Sequence, residues 1–143
     1  MGVKARECKG MYRHRTFGLL TLVIITSLAF SACARQFEDA AAAYERGDYG
    51  EAYRLIKPLA EQGYPKAQHD LGVMYAKGQG VQQDFVMAYM WFTLAASRFP
   101  SSELKRLQTC LRNIDLAASK MTPDQIAEAQ WLAREWKPKK GGE

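Results

Sequence analysis

The strongest constraint on how this chain folds is an internal repeat written on a helical period. Ala43-Tyr44-Glu45-Arg46-Gly47 matches Met74-Tyr75-Ala76-Lys77-Gly78 at an offset of 31. Asp48-Tyr49 with Ala52-Tyr53 matches Asp84-Phe85 with Ala88-Tyr89 at an offset of 36, and at that same offset Ile56 meets Phe92 and Leu59-Ala60 meets Ala95-Ala96. The five-residue difference is an inserted loop, residues 79–83. A helix pair repeated at this length cannot bury its apolar face alone and must stack on a neighbour. The pattern therefore predicts an all-α fold of antiparallel helix-pair repeats, a short α-solenoid.

Six helices are expected, at about 36–46, 48–62, 65–77, 83–99, 101–120 and 123–136. Gly47, Gly63 and the Gly78-Gln79-Gly80 loop supply breaks with positive φ, and Pro65, Pro100 and Pro123 cannot continue a preceding helix. Helix 83–99 is apolar on nearly all sides and must be central. Helix 101–120 carries Leu104, Leu107, Leu111, Ile114, Ala118 and Met121 at three- and four-residue steps, the stripe of an element laid over the end of the stack. Thr122-Pro123-Asp124-Gln125 is a capping box with Pro at N1, and it opens a C-terminal capping helix whose Ile126, Ala129, Ala133 and Trp136 share one face. Gly72 falls mid-helix, where glycine costs ~1 kcal/mol relative to alanine, so a close helix contact is expected there.

Ahead of this body lies a segment of different character. The chain of 143 residues has a net charge of +5, but residues 1–34 hold +4 of it. The remainder has 15 basic and 14 acidic side chains. A nearly neutral body offers no broad footprint for phosphates, so no nucleic-acid partner is expected. Basic residues followed by the apolar run Gly18–Ala32 read as an export signal. Fifteen helical residues reach only ~22 Å across a hydrocarbon core of ~30 Å, too short for a span. Met11 would serve equally well as the initiator. Phe30-Ser31-Ala32-Cys33 resembles the lipobox of bacterial lipoproteins, which would lipidate Cys33 and anchor the chain to a membrane, although that pattern prefers an aliphatic residue where Phe30 stands. Ala32-Cys33-Ala34 also fits ordinary small-x-small cleavage, which would release a soluble chain from Arg35. The expected division is a signal peptide at 1–34, a repeat domain at 35–137 and a flexible tail at 138–143. The expected location is the cell envelope, periplasmic or membrane-anchored.

Ala67-Gln68, Leu71-Gly72, Met74-Tyr75, Gly78-Gln79-Gly80-Val81, Asp84, Ala88, Trp91 and Ala95-Ala96 together resemble the Sel1-like repeat family, relatives of tetratricopeptide repeats. The resemblance covers roughly residues 38–137. It implies a module that binds a protein or peptide on a concave surface lined by the first helix of each pair. On the central helix it points to His69, Asp70, Val73 and Lys77. Cysteine-rich members of that family are associated with β-lactams, but they pair cysteines across each repeat, and this body has only Cys110.

Reactive groups are scarce. His69 is the sole histidine after residue 34, and Asp70 lies about 100° from it around a helix, so the two are not expected to pair. There is no HExxH, CxxC or nucleophile elbow. Cys110 adjoins an apolar stripe and reads as a structural thiol. The expectation is a non-catalytic scaffold with no cofactor and no metal, and self-association remains open. A small envelope enzyme or carbohydrate-binding protein acting on cell-wall fragments is the alternative.

Overall fold

The computed structural model describes residues 34–139, so the leader and Cys33 lie outside the described residues. Six α-helices follow one another: α1 (residues 34–45), α2 (Tyr49–Glu61), α3 (Pro65–Lys77), α4 (Phe85–Arg98), α5 (Leu104–Ala118) and α6 (Pro123–Glu135). They pack as consecutive pairs, the all-α solenoid that the repeat requires.

Their limits follow from local chemistry. Helix α4 begins at Phe85, two residues later than expected, because Asp84 is extended and its carboxylate accepts from the Met87 N–H at 3.0 Å, stopping the helix with an N-cap. Asp48 caps α2 in the same way through Glu51, so the repeat conserves its cap as well as its packing. Ser101–Glu103 form a 3₁₀ turn, and α5 proper starts at Leu104. The capping box of α6 is present in both directions: the Gln125 N–H donates to Thr122 Oγ1, and the Thr122 N–H donates to Gln125 Oε1. All four glycines at the expected breaks have positive φ. Gly80 (φ +70°) carries the strictest demand, since a Cβ there would overlap the Tyr49 carbonyl across the repeat boundary.

Helix α4 is central, packing on α3, α5 and α6. Its Met90, Trp91 and Leu94 meet Ile56, Leu59 and Ala60 of α2, Ala67 and Leu71 of α3, and Ala40 of α1 in one core. Gly72 of α3 permits a close approach of α4, because a Cβ there would stand 2.7 Å from the Phe92 ring. Gln68 is fully buried and ties α3 to α2 by donating from Nε2 to the Ala60 carbonyl at 3.2 Å.

Helix α5 departs from expectation. Its buried residues are Cys110 and Ala117, whereas Leu104 and Leu111 are 59% and 49% exposed. The small side chains let α5 lie close on Ala95 and Phe99, and the leucines flank that contact instead of filling it. Helix α6 buries Ala129 and packs Leu132, Ala133 and Trp136 against the core, the Trp136 edge meeting Trp91 at 6.1 Å. Of the segment read as a flexible tail, Pro138 lies against Gly63, and Lys139 is held on Glu61 by a backbone bond of 2.8 Å and an ion pair of 3.2 Å. These contacts strap the end of α6 to the α2–α3 loop.

Candidate functional site

The first helices of the pairs, α1, α3 and α5, line one side of the stack. Between α1 and α3 runs a groove of about 320 Å³, walled by Ala40, Ala52, Ile56, Val73 and Met74, with Tyr44 and Glu45 at its rim. A second depression, about 250 Å³, lies between α3 and α5 and brings together Lys66, Phe99, Lys105, Arg106 and Thr109. His69 and Asp70 line both. They form the ridge where the two depressions join.

That ridge is a hydrogen-bonded chain. His69 Nδ1 lies 3.0 Å from Asp70 Oδ1, and His69 Nε2 lies 3.2 Å from Asn113 Nδ2 on α5. A carboxylate only accepts and an amide nitrogen only donates, so in this arrangement Nδ1–H donates to Asp70 and Nε2 accepts from Asn113. The Phe92 ring sits beneath the imidazole at 5.6 Å, placing the histidine on the core residue that Gly72 accommodates.

The pairing of His69 with Asp70 corrects the expectation that neighbours 100° apart do not meet. That angle describes Cβ directions alone. Rotation about the histidine torsions carries Nδ1 back to the adjacent carboxylate once Phe92 fixes the other face of the ring.

Cys110 is 0% exposed, packed on Ala95 and Phe99, and its thiol is pushed up to about 11 by burial and by the Asp70 charge. A thiol so placed resists ionisation and is a poor nucleophile. Among the described residues no group of three or more His, Cys, Asp or Glu side chains is arranged to hold a metal ion. No helix among them is long and apolar enough to cross a membrane.

A family model described as "Sel1 repeat" matches residues 65–98, from the first residue of α3 to the last of α4. The chain thus carries a Sel1 repeat. It is similar to the crystal structure of c5321, a protective antigen present in uropathogenic Escherichia coli strains displaying an SLR fold, with a TM-score of 0.62 and 29% identity. That match covers 73% of this chain and 22% of c5321. It is also 31% identical over 77 residues to the chitin synthase regulator SKT5 of Saccharomyces cerevisiae, a match covering 54% of this chain and 11% of SKT5. The chain thus spans only a minor part of either relative.

Within this Sel1 repeat protein, the matched helix pair supplies the ridge and one wall of each depression. Of the four positions singled out from sequence, His69, Asp70 and Val73 line the α1/α3 groove. Lys77 is exposed in the last turn of α3 and does not line it. Sequence reasoning missed Asn113, Lys66 and Lys105. No local pattern marks Asn113 and Lys105, which reach the site through the stacking of α5 beside α3, whereas Lys66 lies one turn before His69 and Asp70 on α3 itself.

Proposed function

We propose that this Sel1 repeat protein is a non-catalytic binding module of the bacterial cell envelope, taking a protein or peptide segment on the face formed by α1, α3 and α5. The observation that carries this reading is the pair of adjoining depressions that share His69 and Asp70. Together they offer an apolar slot beside a polar one, the combination that gives a short segment both affinity and register. The buried Cys110 thiol supports binding over nucleophilic chemistry. So does the name of SKT5, which is called a regulator of a synthase and not a synthase. The leader supports export, with either a lipid on Cys33 or release after Ala34. The mass of the purified mature chain distinguishes these two, since acyl mass on an N-terminal Cys33 supports the anchor and an unmodified Arg35 terminus rejects it.

Affinity capture from envelope extracts tests the binding role. A protein retained by the native chain and by Trp131→Ala, which alters an exposed residue of α6, should be lost with Val73→Arg. Equal retention by Val73→Arg rejects this face as the binding surface.

A further inference from the structure

We infer that the segment bound on this face carries an acidic side chain three positions from an apolar one along a polyproline-II backbone. The inference rests on the binding reading above and adds the chemistry of the partner.

The two depressions differ in charge. The α1/α3 groove is apolar apart from its rim and from Asp70, which His69 holds. The α3/α5 depression gathers Lys66, Lys105 and Arg106 beside the same Asp70. Arg106 is ion-paired with Glu103 at 2.5 Å. Among the described residues neither Lys66 nor Lys105 has a carboxylate within ion-pair distance, and both are exposed. Lys66 also stands in the first turn of α3, which contains no acidic residue. A cation at that end opposes the helix macrodipole, and helices ordinarily place acids there. The chain therefore gathers net positive charge at one end of the site, from two lysines on separate helices plus a helix end, against the single Asp70 carboxylate that His69 already engages. An acidic side chain of a bound segment supplies that countercharge, and a basic one is repelled.

Spacing follows from the helix that joins the two depressions. From Lys66 to Val73 is seven residues, a rise of ~10.5 Å along α3. A polyproline-II segment advances ~3.1 Å per residue and returns a side chain to the same face every third residue, so the same distance takes about three residues. An apolar side chain seated by Val73 and Met74 thus places the third residue along at Lys66 and Lys105. A basic residue at that third position is selected against.

Selection of a random-peptide display library on the purified chain tests this. Enrichment of an apolar residue with Asp or Glu three positions away supports the inference. The selected peptide should then lose about tenfold in affinity on Lys105→Glu, and its preference should shift from acid to base when Lys66→Glu is added. Both lysines are exposed, so these variants should melt as the native chain does, and circular dichroism confirms that they are folded. Peptides that bind and are lost with Val73→Arg, yet show no acid at that spacing or no response to the lysine changes, overturn the inference and leave the binding reading intact. No enrichment over the Val73→Arg variant overturns both.

Discussion

Gly72→Leu should destabilise this protein even though leucine is much the better helix former. At Gly72 an added Cβ meets Phe92 Cδ1 and Cε1 at 2.7 Å and Cγ at 3.2 Å, against a normal carbon separation of ~3.5–4.0 Å. Relief of that overlap requires the ring to move by roughly 1 Å. Phe92 is 2% exposed and lies against His69, so little space is open to it. Replacing glycine within a helix returns ~1 kcal/mol, while overpacking a close core costs ~1–3 kcal/mol. Gly72→Ala should therefore fall between neutral and ~2 kcal/mol destabilising, and Gly72→Leu, with three more carbons, at the upper end of the overpacking range or beyond. Phe92→Ala alone should cost ~3–5 kcal/mol, but combined with Gly72→Leu it should cost less than the sum, with a coupling of ~0.5–3 kcal/mol. Urea unfolding midpoints compared at equal slope read all four proteins. A raised or unchanged midpoint for Gly72→Leu, or strict additivity with Phe92→Ala, refutes the close contact between α3 and α4.

Three further outcomes follow from the same structure. Asp84→Ala removes the cap bond to Met87 and should cost ~1 kcal/mol, read as a lower thermal midpoint. Leu111→Gln should stay within ~0.5 kcal/mol of the native chain because the side chain is half exposed, whereas Leu59→Ala in the core should cost ~2–5 kcal/mol in the same urea assay. Cys110 ionises with a folded pKa raised to about 11 from an ordinary value of 9.0, so its contribution is fully present below pH ~9 and is lost as pH rises through ~11. That loss, about 3 kcal/mol at most, should disappear from the pH profile of Cys110→Ala, and iodoacetamide should label Cys110 in urea much faster than in the native state.

The features legible in sequence were those written locally or twice. The capping box of α6 lies within four residues. The centrality of α4 follows from its apolar surround, and the Gly72 contact from a glycine where a helix resists one. The α5 face was misread because the pattern weighted large side chains. Leu104, Leu111 and Ile114 made the visible stripe, but the contact with α4 is set by how closely the backbones approach, and that is decided by Cys110 and Ala117. The candidate site was half legible. His69, Asp70 and Val73 share one helix and could be read together, whereas Asn113 and Lys105 join them only through the stacking of α5 beside α3. The His69–Asp70 bond depends on side-chain torsions that a helical wheel does not represent.

The central claim, that α1, α3 and α5 form the binding face, is tested most directly by titrating isotope-labelled protein with a selected peptide and following backbone amide resonances. The account predicts that the shifts concentrate at Tyr44, Glu45, Lys66, His69, Asp70, Val73, Lys105 and Asn113, while Trp131 and its neighbours on α6 stay in place. Shifts centred on α6, with residues 66–73 unmoved at saturation, would contradict it.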